Sequence, residues 1–176
     1  MDRLEEALKL IRKMLSGYGP PNSPAPSGPL PVMVGGSGEQ RLLRLVARYA
    51  DMCNFSAPAG DSLASIPHKL DVLQRHCAVV GRDPRDITTT YKSVMVVDAT
   101  EGAAIKTWEA YRSAHRLPAE AAPLVGTADQ VAGQINAFLD AGVDELIVEV
   151  PDAHDPDRLR DASKALEMAS RKEVLG

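Results

Sequence analysis

The sequence predicts an α/β fold in which parallel strands are covered by helices. Three observations lead to this prediction. Short apolar runs rich in β-branched residues recur along the chain, a helical stretch with one apolar face follows each run, and glycine or small polar residues separate the two. Continuous apolar strands of this kind are typical of parallel sheets. The 176 residues, of which 44% are hydrophobic, are expected to form a single partial domain over 1–176.

The first segment is a predicted helix over 1–15, followed by a long loop over 16–31. Apolar residues recur at intervals of three and four from Leu4 to Leu15, so they form one stripe that should pack on another element. The loop holds six prolines, and proline removes backbone donors from helices and sheets. The alternative is an interdomain linker, but too few residues precede it to form a domain.

Four strand–helix units are predicted over 32–171. The strands are 32–34, 52–55, 87–97 and 146–150, and the helices that follow them are 39–49, 65–80, 101–115 and 157–171. A further helix begins at Thr127, where Gln130 completes a capping box, and it ends at Gly142. Gly81 supplies a left-handed residue at the end of the helix over 65–80.

Two architectures fit this order of elements: an open doubly wound sheet, or part of a (β/α)₈ barrel. A whole barrel needs about 200 to 250 residues, so this chain cannot hold eight units, but its four units are the right number for half a barrel. In a closed barrel the strand over 146–150 would be buried on both faces. Aspartate in place of Ile147 would then bury an unpaired charge and unfold the protein.

Composition and charge argue against two classes of partner. The formal net charge is −4, the pI is near 5.6, and aromatic residues make up 4% of the chain, which disfavours a nucleic-acid surface. No apolar run approaches the roughly 20 residues of a membrane helix, and the charged N-terminal stretch differs from a signal peptide. We expect a cytoplasmic protein that binds neither nucleic acid nor membrane.

The cysteines and histidines predict no metal site. Cys53 and Cys77 lack a C-x-x-C or Cys/His spacing and are expected to be buried, reduced thiols. His68 and His76 are eight residues apart on one helix, beyond the spacing at which two histidines share a metal. His154 follows the last strand, where barrel enzymes place their chemistry, but an exposed loop histidine is the preferred interpretation.

The most informative motif is the glycine turn in PVMVGGSGEQ, which lies between a strand and a helix. The turn consists of Gly35, Gly36, Ser37 and Gly38. Glycine lets the backbone approach a ligand closely, and free N–H groups at a helix start favour an anion. The motif matches neither G-x-G-x-x-G nor the P-loop, so a phosphate cradle and a structural tight turn both remain open. Glu39 is interpreted as a first-turn acid that complements the helix dipole.

Several blocks of the sequence resemble the luciferase-like monooxygenase family, especially its bacterial branch that uses coenzyme F420. These blocks are DRLEEALKLIRKML, PVMVGGSGEQRLLRLVARYADMCNF, HCAVVGRDPRDI and VGTADQVAGQINAFLDAGVDELIVEVP. The second block is the most specific, because it joins a glycine turn, the RLLRLVARYAD helix and a short strand that ends in Asn-Phe. The resemblance covers most of the chain.

The resemblance implies the C-terminal half of a TIM (β/α)₈ barrel, strands five to eight, with no counterpart of the first four strands. It implies an oxidoreductase that moves hydride between coenzyme F420, or alternatively FMN, and an unknown organic substrate; no catalytic residue is named. In the family the cofactor phosphate rests on the glycine turn and on the loop after the next strand. The cofactor-binding residues implied in this way are Gly35, Gly36, Ser37, Gly38, Asn54, Phe55 and Ser56.

Half a barrel would leave two sheet edges unpaired and an apolar inner face uncovered. We therefore expect a homo-oligomer, or a partner chain that supplies the missing half-barrel. A different class of function is also open, in which a catalytically incomplete half-barrel is a binding or assembly module or a truncated remnant. Titration with F420 and FMN, together with the association state, would discriminate between the two classes.

Overall fold

The computed structural model describes residues 2–16, 28–118 and 121–170. In these residues the helices are α1 Asp2–Leu15, α2 Leu42–Tyr49, α3 Ile66–Val80, α4 Glu101–Ala114, α5 Ala128–Asp140 and α6 Pro156–Ser170. The strands are β1 Met33–Gly35, β2 Met52–Ser56, β3 Thr88–Val97, β4 Leu124–Gly126 and β5 Glu145–Glu149. Most of the predicted proline-rich loop, 17–27, lies outside the described residues. None of the described helices is long and apolar enough to cross a membrane.

The five strands are parallel. Four of them, β1, β2, β3 and β5, lie side by side in the order in which they occur along the chain. β1 pairs with β2, β2 with β3, and the first part of β3 with β5, while the end of β3 pairs with β4. The register aligns Phe55 with Tyr91 and Tyr91 with Leu146. A doubly wound sheet needs a reversal of strand order, and none occurs among the described strands.

One hydrophobic core lies between one face of the sheet and the helices α2, α3, α5 and α6. Side chains alternate between the two faces of a strand, and on this face Phe55 and Tyr91 are completely buried. The Tyr91 ring stacks on Phe138 of α5 at a centroid distance of 4.2 Å. Helix α5 contributes Val131, Ile135 and Phe138 to this core.

Helix α4 packs on the opposite face of the sheet, which we call the inner face. Trp108 and Ala104 of α4 form a second cluster with Val96, whereas the next residue of β3, Val97, belongs to the main core. β4, a strand of three residues that was not predicted, follows this helix. The Gln134 side chain closes its free edge, since its amide donates to the Val125 carbonyl at 2.9 Å and accepts from the Val125 N–H at 3.1 Å.

Two aspartates tie the amino ends of neighbouring strands together. The Asp51 carboxylate accepts the Val32 N–H at 2.7 Å and forms an ion pair with Arg12 at 2.7 Å. The Asp144 carboxylate accepts both the N–H and the hydroxyl of Thr89, each at 2.7 Å. The register of the sheet is therefore fixed at the end opposite the glycine turn.

Two predicted apolar faces are less covered than expected. Burial of β5 on both faces was expected for a closed barrel; in this chain Ile147 is 37% exposed, because no described element covers the inner face at that point. Among the α1 side chains whose burial the structure describes, 3–15, only Leu8 is buried, while Ile11 and Met14 are exposed. The predicted stripe of α1 therefore packs on α2 along only part of its length.

Candidate functional site

The glycine turn continues the pairing of β1 with β2 and then leaves the sheet. The Gly36 N–H donates to the Asn54 carbonyl at 3.1 Å. Gly36 has a φ of +133°, and a Cβ there would lie 2.8 Å from Leu42 Cδ2, so any side chain at this position is strained. Gly38 differs, because its φ is not positive and a Cβ would meet Leu42 at an ordinary distance of 3.5 Å.

The start of α2 leaves backbone donors available beside this turn. The N–H groups of Leu42 and Leu43 both donate to the Gly38 carbonyl, at 3.0 and 3.1 Å. Among the described residues, no hydrogen bond uses the N–H groups of Ser37, Gly38 or Glu39, and no side chain caps the helix. These donors lie at the positive end of the helix dipole, where an anion is stabilised.

Glu39 has a different role from the predicted one. It precedes α2, whose first turn contains no acidic residue, because the helix begins three residues later than expected. Its carboxylate instead pairs with Lys69 at 3.3 Å and His68 at 3.2 Å. Hydrogen bonds from His68 and Lys69 lower the pKa of Glu39. Both partners belong to α3, so the Glu39 carboxylate contacts α3 and not the start of α2.

The three predicted site residues of the second strand do not all face the same way. Asn54 aligns with Gly35, and its side-chain oxygen accepts a hydrogen bond from Thr90 at 2.8 Å. Ser56 lies two residues further on the same face, and its N–H donates to Asp61 at 3.0 Å. Phe55 is completely buried in the main core, so only its backbone could contact a ligand at the inner face.

A buried ionic cluster lies behind the turn. Asp61 is 2% exposed, and its Oδ1 has no hydrogen-bond partner among the described residues. The Lys69 ammonium lies 3.8 Å from this oxygen and donates to the Ser37 carbonyl at 2.5 Å. Burial raises the pKa of the Asp61 carboxyl. This cluster was not predicted from the sequence, because Asp61 and Lys69 are distant from the turn along the chain and belong to no motif.

A cavity of about 220 Å³ opens at the carboxyl end of β5, beside residues 92–94 in the middle of β3, between α4 and the inner face. Trp108, Tyr111 and His115 provide its aromatic side, and the Tyr111 ring stacks on His115 at 4.1 Å. The Tyr111 hydroxyl donates to the Glu149 carboxylate, and Lys92 lies 3.3 Å from the same carboxylate. The hydrogen bond to Glu149, with burial, raises the pKa of Tyr111 to about 12.

This cavity was not predicted from the sequence either, although one feature of the sequence pointed to it. Lys92 interrupts the apolar strand ITTTYKSVMVV, and Glu149 interrupts LIVEV. A charge within a strand that is expected to be buried is costly without a partner, and these two residues are partners in space. Their common position on the inner face could have been inferred from the alternation of side chains along parallel strands.

One short turn connects the glycine turn with the cavity. Ala57–Ala59 forms a single 3-10 turn after β2. The Ser37 hydroxyl donates to the Ala59 carbonyl at 2.9 Å, and Ala57 lines the cavity.

Within the described part of the chain, no group of three or more histidine, cysteine or acidic side chains could hold a metal ion.

The parallel sheet, with its glycine turn at the carboxyl end of β1, is an α/β fold of the kind in which ligand sites generally lie at that end of the sheet. The chain belongs to the luciferase-like monooxygenase family, whose sequence profile matches residues 1–122. This match confirms the family that the sequence blocks predicted. A comparison with curated protein sequences gives no match.

Three solved structures illustrate the likeness in fold. An F420-dependent secondary alcohol dehydrogenase in complex with an F420–acetone adduct has a TM-score of 0.75 and 14% identity, over 96% of this chain and 61% of that one. Riboflavin lyase with modified FMN and riboflavin gives 0.69 and 14%, over 90% and 46%. The F420-dependent tetrahydromethanopterin reductase from Methanopyrus kandleri gives 0.64 and 16%, over 94% and 60%. The chain therefore spans less than two thirds of each of these proteins.

Proposed function

We propose that this chain is the cofactor-phosphate part of a luciferase-like oxidoreductase that moves hydride between coenzyme F420, or alternatively FMN, and a small organic substrate. The observation that carries the proposal is the set of backbone N–H groups at Ser37, Gly38 and Glu39, which have no acceptor among the described residues. F420 and FMN both carry a phosphate, and such donors at a helix start suit a phosphate. F420 is the first choice, because two of the three compared structures name it.

The residues around the turn fit a phosphate in shape and in charge. Gly35 and Gly38 are both exposed and have no side chain, so a phosphate could approach the backbone at these two residues. The Glu39 carboxylate is engaged by Lys69 and His68, so its negative charge is offset. The Ser37 hydroxyl donates to Ala59, and Ser37 therefore contributes its backbone. No described residue bonds to the Ser56 hydroxyl, which stays available to a ligand.

A bound deazaflavin or flavin supplies the hydride chemistry. The part of this chain would be to hold the phosphate, to orient the ring system and to exclude water. The cavity beside Trp108 and Tyr111 is largely apolar with a polar edge at Lys92 and Glu149, a combination typical of sites for small organic molecules. We assign the substrate to this cavity and name no catalytic residue.

We further propose that the four strands β1, β2, β3 and β5 correspond to strands five to eight of a (β/α)₈ barrel. Their chain-order pairing and the packing of α2, α3, α5 and α6 on one face support this correspondence. Another four strands, in the same or in another polypeptide, would then cover Met33 and Ile147, which are 41% and 37% exposed on the inner face. The same uncovered face supports a second candidate function, a non-catalytic assembly module, which would associate without binding either cofactor.

The decisive experiment compares two substitutions at Gly38. Gly38→Ala should bind F420 and FMN as the wild type does, since its Cβ meets Leu42 at an ordinary 3.5 Å. Gly38→Asp should weaken binding by about tenfold or more, because a carboxylate beside the phosphate repels it. Fluorescence titration of each protein with F420 and with FMN measures the affinities, and inorganic phosphate should compete at the wild-type site.

Gly36 is unsuitable for this comparison, because its φ of +133° makes even alanine strained. The absence of saturable binding of F420 and of FMN by the wild type would refute the proposal. Equal affinities for wild type and Gly38→Asp would place the cofactor phosphate elsewhere and leave the glycines as a structural turn.

A further inference from the structure

Two side chains of α3 hold two carbonyl groups of the glycine turn. The Lys69 ammonium donates to the Ser37 carbonyl at 2.5 Å, and the His76 Nε2 donates to the Glu39 carbonyl at 2.9 Å. Lys69 and His76 are seven residues apart, which is about two helical turns, so they lie on the same side of α3. The helix itself is fixed by Ile66 and Cys77, both completely buried.

These two contacts determine where the neighbouring N–H groups point. In a planar trans peptide the carbonyl of one residue and the N–H of the next point in opposite directions. Because Lys69 draws the Ser37 carbonyl towards α3, the Gly38 N–H points away from α3. His76 acts in the same way on the Glu39 carbonyl and the next N–H. Gly38 and Gln40 are both exposed, so the side of the turn that faces away from α3, which we call its outer side, is open to a ligand.

Neither side chain is placed to contact an anion at the outer side itself. The Lys69 side chain is 13% exposed, and its ammonium lies 3.3 Å from Glu39 and 3.8 Å from Asp61. Its charge is therefore already engaged by two carboxylates. The partner of His76 is a carbonyl oxygen, which only accepts, so Nε2 carries the proton and is occupied by this bond.

We propose that Lys69 and His76 are positioning residues that orient the backbone donors of the glycine turn for a phosphate. The inference rests on the proposed function, since it assumes that the turn binds the cofactor phosphate. It adds that the affinity depends on α3, which does not touch the ligand. Without the two contacts the peptide groups of the turn could rotate, and a phosphate would have to order them when it binds.

The test compares Lys69→Met, which has a chain of similar length but no donor, with the wild type. Lys164→Met, on the exposed side of α6, is the matched control for the loss of one positive charge. Each ¹⁵N-labelled protein is titrated with inorganic phosphate and with FMN, while the Gly38 amide signal is followed by NMR. We expect Lys69→Met to shift the Gly38 amide signal before any ligand is added and to bind both probes about tenfold more weakly. Lys164→Met should match the wild type.

The dependence on ionic strength separates positioning from direct contact. A positioning role leaves the salt dependence of FMN affinity unchanged in Lys69→Met, whereas removal of a phosphate-contacting cation would make it less steep. A less steep dependence would overturn the proposal in favour of direct contact. An unchanged Gly38 signal with unchanged affinity would overturn it as well. If the wild type binds neither probe, the phosphate site fails and this inference fails with it.

A second pair of variants applies if Lys69→Met does not fold. His76→Gln keeps a side-chain donor for the Glu39 carbonyl, and His76→Leu removes it at similar size. Weaker phosphate binding by His76→Leu than by His76→Gln, at equal thermal stability, supports the proposal. Equal binding by the two variants would overturn it.

Discussion

The Asp144 carboxylate joins the amino ends of β3 and β5, and its removal should be costly. It accepts the N–H and the hydroxyl of Thr89, both at 2.7 Å, and Thr89 is only 6% exposed. A hydrogen bond to a charged acceptor contributes about 1.5 to 3 kcal/mol, and a buried donor left unpaired adds a penalty. Asp144→Ala should therefore lower the free energy of unfolding by about 3 to 5 kcal/mol. For a chain of this size, that corresponds to a fall in Tm of about 6 to 20 °C.

Asp144→Asn is the matched control, because one amide oxygen can still accept from Thr89 while the charge is lost. It should cost about 1 to 2 kcal/mol. Urea unfolding followed by circular dichroism gives the free energies, and titration with F420 and FMN should show unchanged affinity, since Asp144 lies at the opposite end of the strands from the glycine turn. The reasoning is refuted if Asp144→Ala unfolds within about 0.5 kcal/mol of the wild type, or if both variants lose the same stability.

Two further predictions concern a buried carboxyl and the uncovered face. Burial raises the pKa of Asp61, so the folded protein disfavours its ionisation, and stability is lost as the pH rises through the folded pKa. Asp61→Asn should be more stable than the wild type at pH 7. In urea unfolding, this difference in stability should shrink as the pH is lowered towards the unfolded pKa of about 3.9. A difference that does not change with pH would contradict this prediction. Wild-type protein should self-associate or bind an apolar dye through the face that contains Ile147, and Ile147→Lys should reduce both. A wild-type monomer in sedimentation that binds no dye would contradict the proposal that other strands cover this face.

The elements that depend on local sequence could be predicted. The capping box at Thr127 and Gln130 is present, and Gly81 is left-handed at the end of α3. The family also followed from local blocks. Helix α2 begins later than predicted, because the glycine turn continues through Glu39 before regular helical hydrogen bonds begin at Leu42. β4 was missed, because three residues are too short to show a periodicity.

The parts of the site that depend on distant contacts could not be predicted. Lys69 reaches the Ser37 carbonyl across 32 residues of chain, and nothing in the local sequence distinguishes it from an exposed helical lysine. Glu149 meets Tyr111 across 38 residues. Such contacts depend on how α3 and α4 pack, and a single sequence contains no direct record of that packing. The exposure of Ile147 depends in the same way on what covers the inner face.

The ties formed by Asp51 and Asp144 lie at the end of the sheet opposite the glycine turn. These hydrogen bonds set the register of the strands at the end where no ligand is expected. The register therefore does not depend on the length or composition of the loops at the other end. Those loops can gain or lose residues during evolution without moving a strand by one step. A chain built in this way can change the molecules it accepts while its sheet stays the same, which is how one scaffold comes to serve many chemistries.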